Sequence, residues 1–279
     1  MISKSIGFVG GGNMAKSLVG GLIHSGVPTD QICVSEPCDE KRKQLAETFG
    51  IQTYVENNHI AQASDILVLA VKPQVMKDAI RSFSSSVVDR NVLFISIAAG
   101  ITINSMEKWL GGTPGIVRVM PNTPALVGAG ITALFANKTV SQNDREDADL
   151  ILRAVGKTVW VDEETLLDAV TAISGSGPAY FFYMMEAMQA AAIAEGLDAR
   201  TARLLTIETG LGASRLAIAS NKSVATLREQ VTSPGGTTEA ALNVMHVEQL
   251  FNTYVKAVAA ARQRADELSR ELDTTDETT

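Results

Sequence analysis

Short runs of β-branched and other apolar residues alternate with longer stretches of helical spacing from the N-terminus as far as Val161. Ser5–Gly10, Gln31–Glu36, Asp65–Lys72, Asn91–Ala99 and Gly115–Met120 read as buried strands, with Ile51–Val55 as a weaker one. Met14–Ser25, Asp39–Phe49 and Gln74–Val87 read as helices between them. Asp39 is the expected N-cap of the second helix, and Gly50 its expected stop. Ile131–Ala136 and Thr158–Val161 add two strands around a polar helix, Gln142–Val155. Continuous apolar strands separated by helices predict an α/β architecture: a doubly wound, mostly parallel sheet with crossover helices.

After residue 162 the strand pattern ends. Leu166–Ile173, Pro178–Ala194, Ala199–Ala219 and Thr238–Leu272 all carry helical spacing. Pro178 suits a first helical turn and Gly196 a helix exit. The reading is an N-terminal sheet domain over 1–162 and an all-helical domain over 163–279, with a polar tail, Asp273–Thr279, expected to fray. No repeat or Pro/Ser-rich linker interrupts the pattern.

Composition narrows the functional classes. Of the 279 residues 46% are hydrophobic and 20% charged, which supports two packed domains rather than disorder. The net charge of −7 argues against nucleic acid or an anionic membrane as partner. Cys33 and Cys38 cannot build a disulfide framework, and the apolar run Ile6–Val9 is cut short by three glycines rather than forming a signal peptide. The expected location is therefore a reducing cytoplasm.

Gly10-Gly11-Gly12-Asn13-Met14-Ala15 follows a strand and opens a helix, the context of a dinucleotide-binding, Rossmann-like turn. Gly10 permits the tight turn, Gly12 lets a pyrophosphate approach backbone, and Ala15 keeps the helix close to the sheet. Helix-start N–H groups then face the phosphates. A plain strand-to-helix turn would use the same glycines. Glu36, ending the second strand, would accept the ribose 2′-hydroxyl of NAD, whereas Ser35 with Lys41, Arg42 and Lys43 could meet the 2′-phosphate of NADP. The three cations also read as a solvated face, and the choice of cofactor stays open at this point.

Two loops in the helical half, Ser174–Tyr180 and Ser233–Glu239, set glycines and hydroxyls immediately before helices. Such starts can hold a small carboxylate on backbone N–H groups, or can be ordinary caps with Ser176 as N-cap and Glu239 at the positive helix end. Pro178–Ala194 is apolar on nearly every side. It is short for a membrane span and carries Glu186 and Gln189, so burial in a helical core or a dimer interface is expected. Met184, Met185 and Met188 are read as core filler. The histidines His24, His59 and His246 stand alone, so no metal is expected. No lysine falls between Lys157 and Lys222, so the long helix brings no cationic acid to an alcohol substrate.

The blocks Ile6–Ala15, Ala70-Val71-Lys72-Pro73-Gln74, Ser96–Gly100, Met120–Ala125, Ser174–Tyr180 and Ser233–Thr238 resemble, in order and over nearly the whole chain, the pyrroline-5-carboxylate reductase family. The resemblance implies reduction of the ring imine of 1-pyrroline-5-carboxylate to L-proline, the last step of proline biosynthesis, with NADPH or NADH. An imine takes up a proton readily, so hydride delivery needs little acid–base machinery and rests on positioning. By the same resemblance Gly10, Gly12, Asn13, Met14, Ser35, Glu36, Asn57, Ala70, Val71, Lys72, Pro73, Ser96 and Ala98 would line the cofactor. Asn122 would sit near the nicotinamide. The substrate carboxylate would rest on N–H groups of Gly236, Thr237 and Thr238, with the Thr238 hydroxyl on the ring nitrogen as the catalytic contact. Glu164, Ser176, Gly177 and Val231 would lie close by. The family's helical domain interlaces with that of a second subunit, implying a homodimer; larger assemblies of dimers also occur in the family.

Two features depart from the family pattern. Asn221-Lys222-Ser223-Val224 stands where a His-Pro is frequent, and Glu36 stands where small polar residues are frequent. A 3-hydroxy acid dehydrogenase of similar architecture would carry a lysine on the long helix, which is absent here. A non-catalytic NAD(P) redox sensor would show degenerate substrate loops, and both loops are intact.

Overall fold

The computed structural model describes residues 2–88 and 90–274. The chain folds as two compact units: one runs through Ser176 and takes up the chain again from Ala261, the other is Gly177–Ala260. In the first unit β1 (Ile6–Val9), α1 (Asn13–His24), β2 (Ile32–Ser35), α2 (Asp39–Phe49), β3 (Gln52–Tyr54), α3 (Asn57–Ala63), β4 (Ile66–Leu69), α4 (Pro73–Arg81), β5 (Leu93–Ser96) and α5 (Ile103–Leu110) alternate strictly. They are followed by β6 (Ile116–Met120), β7 (Gly130–Ala136), α6 (Gln142–Arg153), β8 (Gly156–Trp160), α7 (Leu166–Val170) and a π-helical turn, Thr171–Gly175.

Among the described residues the strands form one sheet in the order β3-β2-β1-β4-β5-β6-β7-β8. Every neighbouring pair is parallel except β6–β7, which is antiparallel. Side chains alternate across the sheet: Ile66 and Val68 of β4 join Phe8, Leu18, Leu22 and Ile95 on one face, while Leu67 and Leu69 join Ile60, Met76, Ile80, Phe83 and Phe94 on the other. Both faces are therefore dry, which is why β1, β4 and β5 read as unbroken apolar runs. From β1 the chain winds outward to β2 and β3, then returns to β4 on the other side. This reversal leaves a crevice at the C-terminal ends of β1 and β4, the place where open α/β sheets bind ligands.

The observed strands are shorter than the apolar runs, because Ala70–Lys72 and Ile97–Ala99 leave the ladder as loops at that edge. Asp39 is the first residue of α2 rather than its N-cap. Cys38 takes the cap position, and the Asp39 carboxylate pairs with Arg42 and Lys43 at 2.8 Å each. Gly50 does end that helix, in the left-handed region at φ 67°. Three helices were not read from the pattern: α3, α5 and, in the second unit, α10. For α5 the signals were present, since Thr102 accepts from the Ser105 N–H at its start and Gly111 closes it at φ 74°.

The second unit holds α8 (Gly177–Ala194), α9 (Ala199–Ala219), α10 (Val224–Gln230), α11 (Thr237–Val247) and the first turns of α12 (Leu250–Thr274). The single helix expected over 238–272 is broken at Glu248–Gln249, where Gln249 adopts φ 54° without a glycine or proline to announce it. Of the tail expected to fray, 273–274 still belong to α12 and 275–279 lie outside the described residues. In α8, Phe181, Phe182 and Tyr183 are 57%, 65% and 74% exposed, so within one chain this apolar helix is left largely uncovered. Among the described residues no helix is long and apolar enough to cross a membrane.

Candidate active site

The loops at the C-terminal edge of the sheet converge on the crevice. Gly10 has φ 99°, and a Cβ there would lie 2.8 Å from both the Ala70 carbonyl oxygen and Val71 Cγ1. Only glycine lets the turn after β1 pass so close to the turn after β4. Gly10 N–H donates to the Ser35 carbonyl, and Ala70 N–H to the Val9 carbonyl, at 2.8 Å each, so both turns are tied to the central strands. Gly12 differs, because an added Cβ would meet nothing within 4 Å. It is the N-cap of α1, which no side chain caps, and Asn13 and Met14 form the first turn. Open space above an uncapped helix start fits the pyrophosphate of a dinucleotide.

At the end of β2 the side chains interlock. The Ser35 hydroxyl donates to Asn57 Oδ1 at 2.7 Å, and Asn57 Nδ2 donates to the Ser82 hydroxyl at 3.0 Å. Glu36 is buried and turned toward the glycine loop: Oε2 accepts the Gly11 N–H at 3.0 Å and Oε1 the Cys38 N–H at 3.1 Å. Arg42 Nη1 donates to the Glu36 and Pro37 carbonyls, at 2.8 and 2.9 Å. Two residues singled out for the ribose, Glu36 and Arg42, thus also order the β2–α2 turn.

Lys72 is the N-cap of α4 and Pro73 its first residue, which places Ala70, Val71, Lys72 and Pro73 along one wall of the crevice. Ser96 ends β5, and its hydroxyl accepts from the buried Ala98 N–H at 3.4 Å. A cavity of about 350 Å³ opens beside these loop ends, lined by Pro73, Gly100, Asp168, Thr171, Leu268 and Leu272 among others. Burial is the largest influence on Asp168 and raises its pKa; Asp266 and Glu164 add to this, while Arg118 and Arg262 oppose it.

Glu164 meets Arg118, a residue that sequence reasoning passed over. Glu164 Oε1 accepts both Arg118 Nη1 and the Ile103 N–H at 2.9 Å, joining β6, the start of α5 and the approach to α7. The signal for Arg118 was a lone cation inside an otherwise apolar strand, since such a charge is buried only with a partner. Asn122, just past β6, is likewise buried, with its amide oxygen on the Ile131 N–H and its amide nitrogen on the Ser174 carbonyl.

Ser176 ends the π-helical turn, its N–H donating to the Thr171 carbonyl at 2.8 Å, and Gly177 starts α8. Val231, Gly236, Thr237 and Thr238 belong to the second unit. There Gly235 sits at φ 70° and donates its N–H to Glu239 Oε2 at 2.7 Å. The Gly236 N–H closes the turn onto the Ser233 carbonyl at 3.0 Å. No side chain caps α11, so its first-turn N–H groups at Thr237 and Thr238 have no intrahelical acceptor. The sheet edge therefore gathers the expected cofactor residues, while the 231–238 loop is built within the helical unit.

Comparison with known proteins agrees with both halves. Residues 164–268 match the family model for pyrroline-5-carboxylate reductase dimerisation, and residues 5–100 match that for coenzyme F420-dependent NADP oxidoreductases. The chain is 45% identical over 272 residues to pyrroline-5-carboxylate reductase of Pseudomonas aeruginosa, covering 98% of this chain and 99% of that protein. The solved structure of a pyrroline-5-carboxylate reductase from Coxiella burnetii superposes with a TM-score of 0.92 at 45% identity, covering 96% of this chain and 99% of the other. That of Plasmodium falciparum, solved with NADP bound, gives a TM-score of 0.86 at 28% identity over 96% of this chain and 99% of its own. With full-length identity well above what a shared fold alone would give, and with both family regions in place, this chain belongs to the pyrroline-5-carboxylate reductase family.

Proposed function

We propose that this chain reduces the ring imine of 1-pyrroline-5-carboxylate to L-proline with NADPH, and with NADH as an alternative donor, in the cytoplasm. The observation that carries the reading is the full-length identity to reductases of that name, joined to a glycine turn whose open Gly12 fits a dinucleotide. A bound nicotinamide would supply the hydride for the new C–H bond at the imine carbon, and the C=N π pair would take a proton from water on nitrogen.

The chain's own work is binding and orientation. Gly10, Gly12, Asn13 and Met14 would hold the pyrophosphate; Ser35, Glu36 and Asn57 the adenosine ribose; Ala70, Val71, Lys72, Pro73, Ser96 and Ala98 the remainder. The N–H groups of the 236–238 turn would take the substrate carboxylate, with Gly236 shaping the turn and Thr237 and Thr238 presenting the donors. The Thr238 hydroxyl would hydrogen-bond the ring nitrogen and orient it. Glu164, Ser176, Gly177 and Val231 would complete the substrate's surroundings.

In this reading 1–162 binds the dinucleotide, and 163–279 provides substrate contacts and the homodimer interface, for which the uncovered aromatic residues of α8 are suited. Sedimentation distinguishes a dimer from a larger assembly of dimers. The deciding experiment is NAD(P)H oxidation by the purified protein with pyrroline-5-carboxylate, run with each cofactor. Formation of proline with either supports the reading, and no turnover with both overturns it.

A further inference from the structure

We propose that Asn122 is a positioning residue for the Ser174–Gly177 segment, acting on that backbone and not on the nicotinamide. This rests on the reductase reading above. The Asn122 side chain is buried, and both poles of its amide are committed: Oδ1 accepts the Ile131 N–H at 3.0 Å, and Nδ2 donates to the Ser174 carbonyl at 3.1 Å. A backbone N–H can only donate and a carbonyl only accept, so these partners fix which way the amide points.

The Ser174 carbonyl needs that donor for a reason written in the sequence. In a continuing helix it would accept from the N–H four residues on, and that residue is Pro178, which has none. The Asn122 amide supplies the missing hydrogen bond from outside the helix. The chain here is already irregular: Ser176 N–H reaches back five residues to the Thr171 carbonyl, closing a π-helical turn. Such turns cost regular bonding and recur at functional sites. A second contact places the turn against the same strand end, since a Cβ on Gly175 would lie 2.5 Å from Met120 Cε. Met120 and Asn122 together therefore set where the 174–176 backbone stands relative to the sheet edge.

The test uses Asn122→Ala and the near-isosteric Asn122→Asp, which keeps the acceptor for Ile131 and loses the donor to Ser174. In Asn122→Asp KM for pyrroline-5-carboxylate is expected to rise about tenfold, as for loss of one buried hydrogen bond, and in Asn122→Ala, which loses both, at least as much. The dissociation constant of NADPH, read by fluorescence titration without substrate, should stay within about twofold. In ligand-free protein, amide exchange across 174–180 should accelerate while the 8–20 region keeps its protection. Adding Pro178→Ala to Asn122→Ala restores a backbone donor and should recover part of the KM.

NADPH binding weakened as much as KM, or unchanged exchange across 174–180, would overturn the proposal. A wild-type protein inactive on pyrroline-5-carboxylate would instead overturn the reductase reading, while the exchange result would still report on Asn122.

Discussion

Glu36 Oε2 accepts the backbone N–H of Gly11 at 3.0 Å, so the acid at the end of β2 is bonded directly to the glycine turn that follows β1. Its other oxygen holds the Cys38 N–H, and the side chain is 7% exposed. In the proposed reading the same carboxylate also meets the cofactor's ribose. Glu36→Ser should therefore act twice. It should shift the kcat/KM ratio toward NADPH by removing a negative charge, and it should lower stability by about 1–3 kcal/mol by orphaning the buried Gly11 N–H. Denaturant unfolding reads the second effect. An unchanged cofactor ratio with lost stability would assign Glu36 to the turn alone.

Thr238→Ala removes the hydroxyl proposed to meet the ring nitrogen and leaves the backbone donors of α11 in place. Turnover should fall, or KM for pyrroline-5-carboxylate rise, by about tenfold, with NADPH affinity nearly unchanged. Steady-state kinetics beside a cofactor titration separate these, and wild-type kinetics would remove the role given to Thr238.

Glu164→Ala would leave Arg118 without its carboxylate, and the Arg118 side chain is only 7% exposed. Loss of one partner from such a pair should cost about 3 kcal/mol, visible in the urea midpoint. Arg118→Met with Glu164→Leu should recover much of that stability, because it removes both charges together. A single Glu164 variant as stable as wild type would show that the pair contributes nothing.

Asp168 bears a pKa raised chiefly by burial, reinforced by Asp266 and Glu164 against the opposing pull of Arg118 and Arg262. A carboxyl whose folded-state pKa lies above its unfolded value favours folding while protonated. That contribution is complete below the unfolded value and is lost as pH rises through the folded one. Asp168→Asn should consequently raise Tm at neutral pH, and the gain should shrink as pH falls toward the ordinary carboxylate range. A gain independent of pH would mean that the charge of Asp168 is not its source.

Phe182 and Tyr183 lie on the long apolar helix α8, 65% and 74% exposed in the single chain. Phe182→Asp should convert a sedimenting dimer into monomer and abolish activity along with it, since a charge at a buried apolar interface is strongly unfavourable. A variant that stays dimeric and active would place the interface elsewhere.

Much of this architecture was legible in the order of residues. The unbroken apolar runs identify β1, β4 and β5 because strands buried on both faces have no polar side to show. Gly50 marks the end of α2, and helical spacing marks α9 over 199–219; that the Asp198 carboxylate caps α9, accepting from the Arg200 and Thr201 N–H groups, is a finding of the structure. The expected cofactor residues came with the family resemblance, and the apolar pattern reads Ala70–Lys72 and Ile97–Ala99 as strand; in the folded sheet both stretches are loops at one edge. Local signals of this kind work because periodicity, caps and glycine turns are decided by neighbours in the chain.

The tertiary structure alone decided the rest. Neither the direction of the Glu36 carboxylate nor the bond from Asn122 to Ser174 is encoded within a window of neighbours, because each depends on which backbone group lies opposite after the sheet has closed. The antiparallel turn of β7 against β6 and the break at Gln249 are decided in the same way. The residue pattern determined which elements form and which faces they bury. Where buried polar side chains point was settled only when packing left each of them one set of partners that could satisfy its hydrogen bonds.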